Sequence, residues 1–292
     1  MSSPLHAAYY ADQAIQVTAE VVANRQMARD TFRIRFRAPE MARRITPGQF
    51  LMLRLSGCND PLIGRPLALY DTVVGESGES WGVDVVYLVK GKLTSRLTQL
   101  REGQLLDVWG PLGNGFLPQA SEHLVMVAGG IGQTPFMALA REYLGLRKYG
   151  DAERDTQTAR QVTLCYGARS ADYLSGVEDF EQLGVDVRIA TDDGSRGRRG
   201  FVTDELRQVL DSSQLACRIV CCGPEPMMEA VAELARERNV PCQVSLETPM
   251  ACGIGICFTC VAKVRDETGD WDYKRTCVEG PVFDAAKIDW SV

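Results

Sequence analysis

Four cysteines near the C-terminus, Cys252, Cys257, Cys260 and Cys277, carry the strongest chemical signal in the chain. Their spacing is C-x4-C-x2-C, then a gap of 16 residues, then the fourth cysteine. Thiolates are soft ligands, and the first three follow the run with which a single loop wraps a [2Fe–2S] cluster. Each iron of such a cluster takes two thiolates besides its bridging sulfides, so four cysteines must converge. Gly253 and Gly255 let the backbone approach and turn amides toward the sulfurs. Ile254, Ile256 and Phe258 are expected to shield the cluster from water. Two plainer readings compete. Structural zinc sites usually pair cysteines as C-x2-C twice, and unmodified buried cysteines are common in cores. The spacing favours the cluster over both. Cys58, Cys165, Cys217, Cys221, Cys222 and Cys242 fall outside the pattern, and most of them read as core.

A second signal is glycine at the ends of apolar strands. "AGGIGQTP", Ala128 to Pro135, lies between an apolar run and a helical pattern. A helix N-terminus offers free N–H groups and partial positive charge, which suit a pyrophosphate. Gly129, Gly130 and Gly132 would let the phosphates come close. Alone this is a weak signal, because the full G-x-G-x-x-G is missing and a tight packing turn would look the same. It strengthens because Cys222, Gly223 and Pro224, in "CGPEPMM", end a later strand and could form the other lip of one mouth for a dinucleotide. "TDDGSRGRRG" follows a third strand. Asp192 and Asp193 there suit ribose hydroxyls and lean toward NAD, whereas Arg196, Arg198 and Arg199 lean toward a 2′-phosphate. NAD is the expectation.

NADH delivers two electrons as a hydride, and a [2Fe–2S] cluster takes one at a time. A chain holding both needs a flavin between them, since flavins exchange electrons in either number. "GRPLALYD" places Arg65, which could pair with a pyrophosphate, at the start of a strand. "YLVKGKLTSRL" supplies another strand, a turn and a helix expected to start at Thr94. The plainer reading of Arg65 by itself is a surface arginine.

The elements that must position these residues fall into three regions. In "TFRIRFRAP", Phe32, Ile34 and Phe36 alternate with arginines, a period of two that marks a strand with one buried face. Leu51, Leu53 and Leu55 repeat the pattern, as do Val83, Val85, Tyr87 and Val89. Several such strands with glycine and proline turns predict an antiparallel β-barrel over residues 1–118. From His123 the pattern changes to alternating strands and helices. "HLVMVAGG" leads to "TPFMALAREYL", with Thr134 expected as N-cap and Pro135 at the first helical position. "QVTLCYG", "VDVRIAT", "CRIVCCG" and "CQVSLE" are further strands, separated by helices over "YLSGVEDFEQL", "VTDELRQVL" and "EPMMEAVAELARER". That alternation predicts a parallel-sheet α/β domain over 119–246, and a small cluster domain fills 247–292. The polar stretch "GDAERDTQTAR" reads as an exposed loop.

Bulk properties close off other classes. The chain has 292 residues, 45% apolar and 24% charged, a composition suited to a few globular domains. A net charge of -6 argues against nucleic acid as the main partner. The start "MSSPLHAAYYADQ" does not read as a signal peptide, and the longest apolar stretch is broken by glycines and Pro135, so it does not read as a membrane span. Ten cysteines in such a chain suggest metal or redox chemistry in the cytoplasm. The two histidines, His6 and His123, have no neighbours suggesting a catalytic triad, and no catalytic acid or base is expected.

Together, "GRPLAL", "GPLGNGF", "AGGIGQTPF", "TDDGS", "CGPEPMM", "SLETPMACGIGICFTC" and "YKRTCVEGPVFDA" resemble the ferredoxin–NADP reductase superfamily. More narrowly they resemble the electron-transfer subunits of NAD-dependent dihydroorotate dehydrogenase of type B. The resemblance covers nearly the whole chain, and the last two motifs are its most specific part. It implies FAD on the barrel, lined by Arg65, Pro66, Leu67 and Ala68, by Val86, Tyr87 and Leu88, and by Leu93 and Thr94. It also implies a partner catalytic subunit holding FMN, in an assembly of two catalytic and two electron-transfer subunits serving pyrimidine biosynthesis. The family commonly has Ser where this chain has Ala68, and Gly where it has Leu93. Two rival readings remain: a subunit of another NAD(P)H–ferredoxin redox complex, and a non-enzymatic iron–sulfur sensor, which would need no flavin.

Overall fold

The computed structural model describes residues 11–150, 154 and 156–291. The N-terminal leader reading, His6 included, lies largely outside them. The barrel is built from β1 (Ile15–Ala28), β2 (Thr31–Arg37), β3 (Phe50–Leu55), β4 (Arg65–Val74), β5 (Ser80–Leu88) and β6 (Leu105–Leu112), with helices α1 (Pro39–Arg44) and α2 (Lys92–Leu97) in the connections. It closes in the order β1-β2-β5-β4-β3-β6, as the alternation predicts. Ile34, Phe36, Leu51, Leu53, Leu55, Val83, Val85 and Tyr87 fill its interior. The outward face of β3 is also covered: Phe50 and Met52 join Leu112, Met250, Cys260, Cys277 and Val278 in a separate core. Outward-facing Val86 and Tyr70 pack into the core of the second domain.

That domain comprises β7 (His123–Gly129), α3 (Phe136–Tyr143), β8 (Gln161–Ala168), α4 (Val177–Glu181), β9 (Asp186–Thr191), β10 (Arg198–Arg199), α5 (Val202–Ser212), β11 (Cys217–Cys222), α6 (Glu225–Glu237) and β12 (Cys242–Ser245). β13 (Val261–Arg265) and β14 (Trp271–Arg275) form a hairpin, and β15 (Val282–Asp284) follows. The sheet order is β10-β9-β8-β7-β11-β12-β15. All neighbours are parallel except β15, which runs antiparallel to β12 with Val244 opposite Phe283. The C-terminal segment is therefore hydrogen-bonded into the nucleotide sheet. Chain order reverses between β7 and β11, which makes the gap beyond their carboxyl ends the topological switch point where open α/β sheets bind ligands.

Three helix starts differ from expectation. Thr134 caps nothing: residues 130–133 form one 3-10 turn, Thr134 N–H bonds to Ile131 O, and α3 begins at Phe136. The helix expected from Tyr173 begins only at Val177, because Gly176 before it adopts φ +71. α2 starts at Lys92, two residues before Thr94, whose Oγ1 instead accepts from the amides of Lys90 and Gly91 at 2.9 and 3.0 Å. The stretch expected as an exposed loop, part of it outside the described residues, turns Arg154 inward onto buried Glu142, with Nη2 2.8 Å from Oε2.

Two carboxylates lock the domains together. Asp71 on β4 meets Arg141 at 2.8 Å, Arg147 at 2.9 Å and the Tyr149 hydroxyl at 2.7 Å. Asp179 on α4 accepts from Tyr70 at 2.7 Å and Arg33 at 3.2 Å. Removing one partner of a buried ion pair strands the others. Asp71→Ala is expected to lower unfolding stability by about 3–5 kcal/mol, read from the urea midpoint; a loss under 1 kcal/mol would show the lock to be idle.

Candidate functional site

The hairpin and the loop before it bring the cysteines together. Val261 pairs with Arg275 across β13 and β14, and the Thr276 amide donates to Cys260 O at 2.8 Å. This sets Cys260 beside Cys277, both buried. The proximity of the two thiols lowers Cys260 to about 6 and pushes Cys277 up. Cys257 is exposed, and hydrogen bonds from Thr259 are the main reason its thiol falls to about 6, with Cys252 a further contact. By place in the fold the cysteines form two pairs: Cys252 and Cys257 lie in the loop, Cys260 and Cys277 at the base of the β13–β14 hairpin. Among the described residues no three metal-binding side chains converge on one point. Single-ion zinc coordination needs four ligands about one centre, whereas a two-iron cluster takes two thiolates at each iron. The donor set fits the cluster.

Ile256 and Phe258 do not shield this loop as expected; they are 65% and 63% exposed. The loop lies on the outer wall of the barrel and its far side faces solvent. Its near side is closely fitted. Gly253, at φ +75, leaves no room for a side chain: a Cβ would stand 2.6 Å from Met52 Cγ and 3.0 Å from Leu112 Cδ1. Trp109 on β6 donates its indole N–H to Cys252 O at 3.0 Å. Asn114 binds both the N–H and the C=O of Val282, at 3.1 and 2.8 Å, and its amide donates to Gly280 O at 2.7 Å. Sequence reasoning singled out neither Trp109 nor Asn114. A lone polar residue inside "GPLGNGF" was the available hint for the second.

The predicted flavin strand is next to this wall. Pro66 pairs with Met52 and Ala68 with Phe50, so β4 lies one strand spacing, about 5 Å, from residues that touch the cysteine loop. Arg65 is exposed, its guanidinium bonded only to Gly64 O at 3.2 Å among the described residues, which leaves it available to an anion. Pro66, Leu67 and Ala68 are half-buried along β4, with Leu67 packed against the barrel interior; on β5 Leu88 is half-buried, whereas Val86 is buried in the core of the second domain. The Tyr87 ring points into the barrel and stacks on Phe32 at 5.8 Å, and Leu93 is also interior. Those two can meet a ligand only through their backbone. Thr94 is buried in the turn it caps.

At the switch point the two glycine loops interlock. A Cβ on Gly132 would collide with the Cys222 carbonyl, and one on Gly129 would stand 2.6 Å from Met227 Sδ. A Cβ on Gly223 would lie 2.9 Å from the Gly129 amide, while buried Cys222 sits beneath the loops and Pro224 precedes α6. Only Gly130, at φ +55, faces open space. Of these loop glycines Gly130 alone leaves its backbone open to a ligand, with Gly129 and Gly132 fixing the loop from behind. At the end of β9 Asp192 is exposed, whereas Asp193 binds the Ser195 amide at 2.9 Å and hydroxyl at 2.6 Å, which hold its carboxyl below the usual range. Arg198 is paired with Glu205 at 2.6 Å. His123 is a core residue, its ring nitrogens 2.9 Å from the Ser213 and Thr163 hydroxyls.

Comparison with known proteins agrees with this geometry. Residues 18–116 match the family described as oxidoreductase FAD-binding domain, and 126–233 match oxidoreductase NAD-binding domain. Residues 247–289 match the iron–sulfur cluster binding domain of dihydroorotate dehydrogenase B. The chain is 34% identical over 273 residues to the dihydroorotate dehydrogenase B (NAD(+)) electron transfer subunit of Caldanaerobacter subterraneus subsp. tengcongensis, covering 94% of this chain and 98% of that protein. It is 35% identical to the subunit of the same name from Desulforamulus reducens, covering 93% and 97%. Among solved structures, the NADH-dependent reduced ferredoxin–NADP oxidoreductase of flavin-based electron bifurcation superposes with TM-score 0.75 at 29% identity, over 94% of this chain and 90% of that one. Phthalate dioxygenase reductase shares the fold, with TM-score 0.58 at 16% identity over 90% and 94%.

The glycine loops make a separable pair of tests. Gly130→Ala costs about 1 kcal/mol of stability from its positive φ and is expected to raise the KM for NADH in dye reduction. Gly132→Ala is expected to lower Tm and abolish nucleotide binding together. Equal behaviour of the two variants would contradict the assignment of Gly130 as the open cradle.

Proposed function

Because this chain belongs to the family of electron-transfer subunits of dihydroorotate dehydrogenase B, we propose that it carries electrons between an FMN-containing catalytic subunit and NAD, in pyrimidine biosynthesis. The observation that carries this reading is the cysteine loop seated on Met52 and Leu112, one strand from the Arg65–Ala68 wall. We assign the flavin barrel to residues 1–118, the nucleotide domain to 119–246 and the cluster domain to 247–292. Bound in these sites, FAD supplies the exchange between the paired electrons of NADH and the single electrons that a [2Fe–2S] cluster carries.

The chain's own residues bind and orient. Arg65 offers its guanidinium to the FAD pyrophosphate, Pro66, Ala68 and Leu88 supply the apolar wall, and Leu67 and Val86, whose side chains are packed into cores, contribute backbone. Gly130 admits the dinucleotide phosphates at the switch point, and Asp192 faces the ribose hydroxyls, which favours NAD over NADP. Cys252, Cys257, Cys260 and Cys277 hold the cluster in two pairs. Among the described residues the one histidine is held in core hydrogen bonds. The name of the relatives, an electron transfer subunit, supports assigning dihydroorotate chemistry to the partner. Ile256 and Phe258, exposed beside the exposed thiol Cys257, suit an apolar docking face for it. An assembly of two catalytic and two electron-transfer subunits puts each cluster against one partner.

None of the ten cysteines is in a disulfide, which fits the reducing cytoplasm, and among the described residues no helix is long and apolar enough to cross a membrane. A second reading has one observation in its favour. The likeness to the bifurcating oxidoreductase structure also suits a subunit of another redox complex, and the partner recovered by pull-down separates the two.

The purified chain alone is expected to show flavin and iron–sulfur absorption and to reduce dyes with NADH, without oxidising dihydroorotate. Adding the catalytic subunit should give dihydroorotate-dependent NAD reduction, and dihydroorotate oxidation by the lone chain would overturn the division of labour. Ile256→Asp is expected to weaken binding of the catalytic subunit about tenfold or more, measured by calorimetry, while NADH–dye activity stays unchanged.

A further inference from the structure

Arg275 ends β14, two residues before Cys277, and is the most heavily engaged side chain around the cysteine loop. Its Nη1 donates to Gly255 O at 2.9 Å. Its guanidinium lies over the Phe258 ring, 5.2 Å from the centroid. Its other side is anchored by Glu279, whose Oε2 accepts from the Arg275 amide at 2.8 Å and from Nε at 3.3 Å. The two points it grips bracket Cys257: Gly255 lies before it, and Phe258, in the left-handed region at φ +57, lies after it. One planar cation thus connects the loop that carries the first three cysteines to the strand that leads to the fourth.

We propose that Arg275 is the positioning residue of the cluster site: it clamps Gly255 and Phe258 so that the two cysteine pairs stay in register, and its charge favours the reduced cluster. The proposal rests on the reading of the four cysteines as cluster ligands. The physical argument has two parts. A guanidinium presents donors in a fixed fork and a flat face, so it can bond a carbonyl, a carboxylate and a ring at once; an ammonium cannot. Reduction adds one negative charge to the cluster, and a cation held beside it lowers the energy of that state. Glu279 offsets part of this charge while fixing its place.

The test compares as-isolated holoprotein of the wild type with R275K, R275Q and E279Q. Three quantities are read: iron and acid-labile sulfide per FAD, the rate of cluster bleaching by a chelator, and the cluster midpoint potential from an EPR-monitored titration. R275Q is expected to bleach about tenfold faster and to shift the potential to more negative values, with FAD content unchanged. R275K should bleach faster than wild type yet keep a potential close to it, since the charge remains. If as-isolated R275Q holds too little cluster to titrate, its cluster is rebuilt anaerobically with iron and sulfide before the titration, and E279Q serves as the control for loss of the anchoring carboxylate. Wild-type bleaching in R275Q, or an unshifted potential in R275Q, overturns the assignment. Wild-type protein without iron or sulfide overturns the cluster reading instead and leaves Arg275 as a loop clamp with nothing to position.

Discussion

The contact on which the rest depends is the seat of the Cys252–Cys260 loop against Met52 and Leu112. Electrons move between separate groups only over short distances, so the loop must touch the barrel wall next to β4. Gly253 makes that approach possible, since any side chain there would enter the space of Met52. Trp109 and Asn114 then hold the loop and the segment after Cys277 from the barrel side, while β15 holds that segment from the nucleotide sheet. The cluster unit has little core of its own. Its apolar residues are completed by Phe50, Met52 and Leu112, so its fold is borrowed from both neighbours.

Much of this was legible because some constraints leave local marks. Thiolate spacing, strand alternation and glycines at strand ends are each set within a few residues of sequence, and each led to the right element. The alternation of Phe32, Ile34 and Phe36 marks a half-buried strand because arginines fill the other face. β3 hid its second role for the same reason in reverse. Phe50 and Met52 lie between the interior leucines, and only the arrival of a distant segment makes that outer face buried. Ile256 and Phe258 misled by the opposite route: apolar residues beside cysteines suggested shielding, but the loop's one buried side was already taken by Gly253 and the barrel. Thr134 looked like a cap because its type and place were right. The 3-10 turn that interlocks with Cys222 pushed the helix start one residue on, so that Pro135 stands where Thr134 was expected. The roles of Arg275, Asn114 and Asp71 left little or no local mark: Gly255 and Phe258, Val282, and Arg141 and Arg147, which they bind, lie in other loops or domains.

The nucleotide mouth shows why glycine counting is a weak guide. Three glycines in "AGGIG" look equivalent in sequence, yet two of them serve packing between the β7 and β11 loops and one opens to solvent. The distinction arises from sheet order. β7 and β11 are adjacent strands whose chains depart in opposite directions, so their following loops meet face to face at the switch point. Loop contact demands missing side chains just as ligand approach does, and the two demands are satisfied by the same residue type.

The placement of the three units also explains why the chain needs so few ionisable groups at its centres. Hydride and electron transfer at bound cofactors require position and electrostatics rather than a protein acid or base. The charged residues are accordingly spent on geometry. Asp71 and Asp179 fix the nucleotide domain on the barrel, which sets where a nicotinamide can lie against a flavin. Glu279 and Arg275 fix the cysteine loop. The same economy shows on the outer wall, where Cys257, Ile256 and Phe258 are exposed. The strand beneath the cysteine loop, β3, is paired directly with β4, so any group held on the Arg65–Ala68 strand is a direct sheet neighbour of the residues on which the cysteine loop sits.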